Sequence, residues 1–370
     1  MAEPFEQENA DYESWLRTQC DVVQSDLDHK HDRMTKSAFV FLRATYFRWA
    51  RLMPELFPGL MDTPQVLAVG DIHLENYGTW RDQESRLVWG VNDFDEAAVM
   101  PYAFDLVRLV CSIRQAPHLS IDKAAAAELV LQGYGGGLST PRPTLVDDRE
   151  TAWMREDVAV TDEDRAKFWQ EIDEKDPDAT PPHDVAASLM QSLPADSSEI
   201  RFAARPQKGG GGLGRPRYIV VASWRGGRVV REAKALVPSA WSWARNAIPA
   251  QHPFEVLARG QYRAFDPFLT QAGAFIVRRI AADSRKINLK QNPDSQLKDR
   301  VLRAMGFDLG AIHAASASAV AAIQADLAAR EQGWLHKSAK SAETAVHEDF
   351  AAWQQFHQGN ETVTGPQGHS

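Results

Sequence analysis

Cysteine is scarce in this chain, long apolar runs are missing, and positive charge is not in excess. Only Cys20 and Cys111 occur among 370 residues, too few for a disulfide framework and at no metal-ligand spacing. No stretch approaches the ~20 apolar residues of a membrane span, and no apolar run of the signal-peptide type opens the sequence. With a formal net charge of −9, the surface as a whole does not attract nucleic acid or anionic lipid. We therefore predict a cytoplasmic protein that binds neither nucleic acid nor membrane.

The apolar residues that are present follow recognisable patterns. Apolar groups at helical spacing over 36–57 predict a single helix with a broad buried face. The short runs VLAVG at 66–70 and LVWGV at 87–91 predict two buried strands. Pro101 is predicted to start a helix that extends to about 116.

The residue composition changes twice in the second half of the chain. Residues 140–185 are acidic and contain several prolines, which predicts a loop or a peripheral helical insertion. Residues 198–235 carry β-branched runs around a pair of glycines, which predicts a hairpin. FIVRRI at 275–280 predicts one more strand, and helical patterns follow over 295–316 and about 318–331. The last dozen residues are predicted to be disordered.

The most informative stretch is GDIHLENYG at 70–78, which is followed by a D-F-D sequence. Phosphoryl transfer needs a carboxylate beside the attacking hydroxyl and hard oxygen ligands for Mg²⁺. Asp71 followed five residues later by Asn76 matches the D-x-x-x-x-N of a kinase catalytic loop, in which Asp is the base and Asn binds metal. Asp93 lies at a predicted strand exit, where a kinase places its principal metal-binding Asp. Asp95 could hold a second metal or orient Asp93.

Each of these residues alone is weak evidence, because an Asp in a turn is ordinarily only a turn residue. Their order is more specific. G-D-x-H-x-x-N, then D-F-x, then D-L resembles the aminoglycoside-phosphotransferase and choline-kinase branch of the kinase-like superfamily. The whole run through VNDFDEAAVMPYAFDLVRLVCS, with MTKSAFVFLRAT upstream, more closely resembles the bacterial family called domain of unknown function 2252. The resemblance implies that Asp105 steadies the catalytic loop from the following helix. His73 is expected to pack or hydrogen-bond within that loop.

A second motif, downstream, is predicted to hold the nucleotide. KGGGGLGRPRYIVVASW at 208–224 is a glycine turn that enters a strand, and VVREAKAL at 229–236 is a strand that carries Lys234. Backbone N–H groups in a glycine turn can approach phosphate oxygens closely, and a lysine neutralises phosphate charge. A flexible linker and a solvated lysine are the alternatives. The predicted nucleotide-binding residues are Lys234, Gly209, Gly210, Gly211, Gly212, Gly214 and Arg278, with the FIVRRI strand as the edge that pairs with adenine.

This order is permuted, since kinases place the glycine turn before the catalytic loop. FDLGAIHAAS at 307–316 looks like the helix that ordinarily precedes that loop. Permutation need not harm a fold, because packed elements make the core. We predict an α+β, two-lobed, protein-kinase-like fold that is circularly permuted. Its predicted parts are an N-terminal helical extension (1–35), the first part of a helical catalytic lobe (36–197, with the insertion at 140–185), a small β-rich nucleotide-binding lobe (198–285), the second part of the helical lobe (286–357) and a disordered tail (358–370).

The predicted function is Mg²⁺-dependent transfer of the γ-phosphoryl group of ATP, or of another nucleotide, to an acceptor hydroxyl. A small-molecule acceptor is favoured over a protein, and the acidic insertion would suit a cationic one. The partner glutamate that a kinase lysine needs is unassigned, with Glu232 and Glu255 as candidates. That gap keeps a non-catalytic, kinase-like nucleotide-binding module open. VLAVGDIH also resembles the start of a metallophosphoesterase, but the G-N-H motif of that class is missing from the sequence.

Overall fold

A computed structural model describes residues 3–117, 119–174, 180–204, 214–287 and 295–363. Helix accounts for 54% and strand for 16% of the structure described, and the strand pairings of the described residues are antiparallel. The predicted α+β class is therefore confirmed. Among the described residues, no helix combines the length and the apolarity that crossing a membrane requires.

Fifteen helices of the described residues surround the strands. They are α1 (Phe5–Gln19), α2 (Gln24–Met34), α3 (Ala38–Ala44), α4 (Tyr46–Leu56), α5 (Pro58–Met61), α6 (Tyr102–Gln115), α7 (Lys123–Ser139), α8 (Arg155–Val158), α9 (Asp162–Asp173), α10 (His183–Gln191), α11 (Ala240–Ala244), α12 (Phe254–Ala258), α13 (Ser295–Ala314), α14 (Ala317–Ala329) and α15 (Trp334–Val363). Two short 3₁₀ helices are present as well, at Leu74–Asn76 and Arg149–Met154.

The strands form three sheets in the described part of the chain. They are β1 (Gln65–Ala68), β2 (Tyr77–Arg81), β3 (Leu87–Val91), β4 (Ala98–Pro101), β5 (Thr144–Leu145), β6 (Ser198–Ala204), β7 (Arg217–Trp224), β8 (Gly227–Ala235), β9 (Thr270–Ala272) and β10 (Phe275–Arg279). Strand β1 pairs with β4, and the second sheet has the order β2-β3-β5. The largest sheet has the order β6-β7-β8-β10-β9.

The segment predicted as one helix over 36–57 is two helices, α3 and α4, with a break at Thr45. The backbone of Thr45 has φ −127° and ψ 42°, outside the helical region. Its hydroxyl donates to the carbonyl oxygen of Phe41 at 2.7 Å, a side-chain bond that competes with regular helix geometry. The bend lets aromatic residues of both helices, among them Phe41 and Trp49, enter the same core.

The described residues of the acidic segment at 140–185 include α8, α9 and the start of α10. Of the two predicted alternatives, a loop or a peripheral helical insertion, the helical one is closer, but the segment is not peripheral. On one face of the five-stranded sheet, Ile172 of α9 packs with Ile219 and Val230. On the other face, Leu189 packs with Val220. Leu189 belongs to α10, which begins within this segment and continues beyond it. The sheet is short and needs apolar cover on both faces, and these two helices supply it.

The ends of the chain are more integrated than predicted. In the segment predicted as an N-terminal extension, Phe5 and Met34 are buried in the main core. The predicted tail boundary at 357 is wrong, because α15 continues to Val363. Extending an existing helix adds one hydrogen bond per residue, and a single glycine such as Gly359 costs only about 1 kcal/mol. Residues 364–370 lie outside the described residues.

Helices α7 and α13 touch through glycines at close range. A Cβ atom at Gly137 would overlap the carbonyl oxygen of Phe307, and one at Gly306 would overlap that of Val130. In the C-terminal half of α13, Asp308 accepts from the N–H of Val91 at the end of β3, and His313 lies beside Asp105 of α6. The close approach therefore joins two segments that are far apart in the sequence.

We predict opposite effects for two alanine substitutions in α7. Gly137→Ala should destabilise the protein by about 2–3 kcal/mol, because the new methyl group meets the backbone of α13 rather than a movable side chain. Gly135→Ala is the matched control, since a Cβ atom there has no neighbour within 4 Å. It should stabilise by about 0.5–1 kcal/mol through helix propensity. Urea unfolding measures both, and equal effects would contradict this description of the contact.

Candidate active site

A cavity of about 530 Å³ lies between the five-stranded sheet and the loops that follow β1 and β3. Its lining comes from both halves of the chain. Among the residues predicted from the sequence, the structure places Asp71, His73, Asn76, Asp93, Asp95, Lys234 and Arg278 around this one cavity. The two predicted motifs therefore face a common space.

The loop after β1 is held by a buried carboxylate on α6. Asp105 is fully buried, and it accepts hydrogen bonds from the backbone N–H groups of Val69 at 2.8 Å and Gly70 at 3.0 Å. Gly70 has φ +80°, a left-handed conformation in which side chains are strained. His313 Nε2 of α13 lies 3.1 Å from Asp105 Oδ2, the oxygen that also accepts from Val69. The carboxylate of Asp105 on α6 thus connects the loop after β1 with α13.

Asp71 and His73 lie in the turn that this carboxylate holds. The side chain of Asp71 is 17% exposed and lines the cavity. Burial raises the pKa of Asp71, and the neighbouring guanidinium of Arg108 opposes that rise. His73 Nδ1 accepts from the N–H of Glu75 at 3.1 Å and so caps the 3₁₀ helix that follows. Burial lowers the pKa of His73 well below its usual range, which keeps the ring neutral.

Asn76 is oriented so that its oxygen stays available. Its Nδ2 donates to the carbonyl oxygens of Asp71 at 3.0 Å and Asp93 at 3.3 Å. Because only the amide nitrogen can donate, these two contacts define which atom is Oδ1. That Oδ1 atom is buried and has no hydrogen-bond partner, which is costly for a polar atom unless a ligand binds there.

These groups fit a Mg²⁺ ion. Mg²⁺ takes oxygen ligands and is held by one or two protein carboxylates together with substrate phosphates. The orphaned Oδ1 of Asn76 and the 40% exposed carboxylate of Asp93 are ligands of that kind. Within the described residues, no group of three His, Cys, Asp or Glu side chains could hold a metal ion. The site therefore offers an open, two-ligand position, not an all-protein cage.

Asp95, predicted as a metal ligand, is already engaged by cations. Its Oδ2 atom lies 2.6 Å from Lys234 Nζ and 2.9 Å from an Arg215 nitrogen. The side chain is only 11% exposed. These two cations hold the pKa of Asp95 far below its usual range, although burial acts in the opposite direction. Asp95 is therefore a direct ion-pair partner of Lys234.

Lys234 contacts Asp93 of the predicted metal-binding motif, although the two residues are 141 positions apart. Its Nζ atom lies 3.2 Å from Asp93 Oδ2, and the side chain is 6% exposed. Neither candidate glutamate is its partner. Glu232 pairs with Arg278 at 2.7 Å, and Glu255 accepts from the N–H of Gln271 at 2.7 Å. The acidic partners of Lys234 in the described residues are aspartates.

The predicted glycine turn is only partly described. Gly209, Gly210, Gly211 and Gly212 lie outside the described residues. Gly214 does not line the cavity, which corrects its predicted role. It has φ +89°, and its carbonyl oxygen accepts from the N–H of Val23 at 2.9 Å. A Cβ atom there would lie 2.5 Å from Leu27 Cδ2, so Gly214 allows the chain to pack against α2.

The predicted adenine edge needs a correction as well. Strand β10 is an interior strand, because β8 and β9 pair with it on its two sides over 275–277. Pairing with β9 stops after Val277, and the following residues Ile280 and Ala281 line the cavity. Arg278 lines the cavity from this strand. Only the end of β10 is therefore free to meet a ligand.

Two buried arginines that contact predicted site residues were not predicted themselves. Arg215 contacts Asp95, and it also lies 2.6 Å from Glu96 Oε1. Arg108 contacts Asp71 with its Nε atom 3.1 Å from Oδ1. Both arginines stand within predicted motifs, directly after the glycine turn and within the D-L-V-R run. This position in the predicted motifs is the only sequence signal that could have pointed to the two arginines.

Residues 22–167 match a family described as an uncharacterized protein conserved in bacteria (DUF2252). The predicted resemblance is confirmed over those residues, which include Asp71, Asn76, Asp93 and Asp105. The match stops before Lys234 and the five-stranded sheet. No curated protein and no solved structure gave a significant match.

A half-buried histidine beside the site, His252, predicts how stability depends on pH. His252 Nε2 donates to the carbonyl oxygen of Asp95 at 3.2 Å, since Nδ1 accepts from the N–H of Phe254. Burial lowers the pKa of His252 to about 4, below the ~6.5 of an unfolded chain. The unfolded state therefore binds the proton first, and stability should fall as the pH drops from about 6.5 to about 4.

His252→Gln should flatten this part of the pH profile, and the unfolding free energy measured in urea between pH 4 and 7 reports it. The loss of stability at low pH should become smaller but should not disappear, because the lowered pKa of His73 acts in the same direction. His183→Gln is the control, since His183 is exposed. A profile unchanged by His252→Gln would contradict the assignment.

Proposed function

We propose that the chain is a Mg²⁺-dependent phosphotransferase with a kinase-like, circularly permuted fold, which transfers the γ-phosphoryl group of ATP or another nucleotide to an acceptor hydroxyl. One observation carries the proposal. Asp71, Asn76 and Asp93 share a cavity with Lys234, whose Nζ atom lies 3.2 Å from Asp93. A base, two metal ligands and a phosphate-binding lysine in one cleft are the parts that phosphoryl transfer needs.

The layout of the five-stranded sheet supports a kinase-like small lobe. Protein kinases carry a glycine-rich loop over the phosphates and a lysine on their third strand. Here β6, the glycine-containing connection, β7 and β8 follow in that order, and Lys234 is on β8. Arg217 at the start of β7 is paired in register with Lys234. Strand β7, which follows the glycine segment in the sequence, therefore begins at the end of the sheet where Lys234 lies.

Each side chain has a role that its position allows. The Asp71 carboxylate would orient the acceptor hydroxyl and take its proton. Lys234 and Arg278, which both line the cavity, would bind phosphate oxygens through charge-assisted hydrogen bonds. Asn76 and Asp93 would hold Mg²⁺, which neutralises charge on the phosphates when bound. Permutation leaves these roles intact, because they depend only on the positions of the side chains.

The acceptor is proposed to be a small molecule, and its predicted cationic character gains little support. The cavity size is typical of small-molecule sites. The acidic residues of α9 largely pair with arginines, since Asp164 lies 2.6 Å from Arg285 and Asp173 lies 2.7 Å from Arg228. Glu171 is the one acidic residue of α9 that lines the cavity.

A non-catalytic nucleotide-binding module is the second candidate. It is favoured by the pairing of Lys234 with Asp93 and Asp95, since kinases pair this lysine with a glutamate. A Mg²⁺-dependent thermal shift with ATP, without any release of ADP, would identify the module. The same shift with turnover identifies the enzyme.

Asp71→Asn should lower kcat by about 10³-fold while the Kd for ATP stays within about threefold of the wild type. Asparagine is preferred to alanine here, because its oxygen can still accept from the buried Arg108. Release of ADP with Mg²⁺, using water as the acceptor, measures turnover, and calorimetry measures the Kd. If the Asp71→Asn variant binds ATP much more weakly but still releases ADP at the wild-type rate, Asp71 is not the base.

Lys234→Met should weaken ATP binding by about 10- to 100-fold, the effect of removing a charged hydrogen-bond partner from phosphate. Arg228→Met is the matched control on the same strand, because Arg228 pairs with Asp173 and does not line this cavity. Calorimetry with ATP and Mg²⁺ compares the two. Equal affinities for both variants would place the phosphates elsewhere.

A further inference from the structure

Arg108 is a fully buried arginine on α6, three residues after Asp105. Its Nε atom lies 3.1 Å from Asp71 Oδ1, and its Nη2 atom also contacts that oxygen. Nη2 donates in addition to the carbonyl oxygen of Leu42 at 2.9 Å. A single guanidinium thus joins the loop after β1 to helix α3.

Two aromatic rings hold the guanidinium in place. Its central carbon lies 4.8 Å from the ring centre of Tyr46 and 5.1 Å from that of Trp49, distances typical of cation–π contacts. Both rings belong to α4, and Leu42 belongs to α3. Helices α3 and α4, which lie upstream of the catalytic motif, therefore hold the side chain of Arg108 in place.

The contact with Arg108 involves only one of the two carboxylate oxygens of Asp71. Both contacts of Arg108 with Asp71 fall on Oδ1, and Oδ2 has no hydrogen-bond partner in the described part of the chain. Asp71 lines the cavity. Arginine remains charged when buried, so it needs a carboxylate partner. Oδ1 is therefore held, and Oδ2 is left for a ligand.

We propose that Arg108 is the positioning residue of Asp71: it fixes Oδ1 so that Oδ2 faces the acceptor hydroxyl. This inference rests on the proposed function and deepens it. Arg108 touches neither nucleotide nor acceptor, because it is fully buried and does not line the cavity. Its effect on turnover must pass through Asp71.

Arg114 is the matched control on the same helix. Its side chain is 4% exposed and pairs with Glu343 at 2.6 Å, and it does not line the cavity. Truncating either arginine removes a cation from its carboxylate partner, which costs stability in both cases, although Glu343 keeps Lys123 at 2.9 Å. Only Arg108 should affect turnover.

The first experiment measures Mg²⁺-dependent ADP release by folded Arg108→Ala and Arg114→Ala. Arg108→Ala should lower kcat by about 10²-fold while KM for ATP stays within about threefold, since the base is displaced and the nucleotide contacts remain. Guanidinium at low millimolar concentration, far below denaturing levels, should restore part of this loss by filling the space between Tyr46 and Trp49. Arg114→Ala should match the wild type and should not respond to guanidinium.

The second experiment tests whether Arg108 acts through Asp71. In the Asp71→Asn background, Arg108→Ala should change the remaining turnover by less than about threefold, because two residues that act as one unit are not additive. If Arg108→Ala does not fold, Arg108→Lys replaces it. Lysine keeps the charge but lacks the planar fork that contacts Asp71 and Leu42 together, so its kcat should fall between those of wild type and Asp71→Asn.

The outcomes separate the inference from the function on which it rests. Absence of wild-type turnover overturns the proposed function and this role with it. Wild-type turnover that Arg108→Ala or Arg108→Lys leaves unchanged overturns only the positioning role. Higher turnover in either variant overturns it as well, because Arg108 would then be restraining Asp71. A fall in kcat that guanidinium reverses, and that disappears in the Asp71→Asn background, supports it.

Discussion

The carboxylate of Asp105 is the constraint on which the site depends. It is fully buried, and it receives two backbone N–H groups from the loop after β1 and faces His313 of α13. A buried carboxylate without partners would be very costly, so the contacts have to form together. The loop that carries Asp71 is thereby tied to α6 and to a helix from near the end of the chain.

A second set of buried charges ties the sheet to this framework. Lys234 and Arg215 approach from the sheet side, and Asp93, Asp95 and Glu96 approach from the loop after β3. Breaking a buried pair by removing one member costs several kcal/mol, because the remaining charge is left uncompensated. Opposite charges therefore specify how the two parts of the chain face each other. Their order along the chain has no influence on that attraction.

Much of the fold could be predicted because helices and strands have local signatures. Periodicity indicated α6, the hairpin of β7 and β8, and the helices near the C-terminus. It could not place the break at Thr45, which depends on a hydroxyl and on the core that both helices enter. It also misjudged the acidic segment, because the apolar residues of α9 and α10 are few, and each has a sheet face to cover.

By itself, the sequence determined the secondary-structure class and the chemical groups of the loop, since Asp71 and Asn76 are neighbours in one short turn. Only the tertiary structure decided the partners of those groups. Arg108 meets Asp71 across 37 residues, and Arg215 meets Asp95 across 120. The reason is physical. Electrostatic attraction depends on distance in space, and the packing of α3, α4, α6 and the sheet sets those distances.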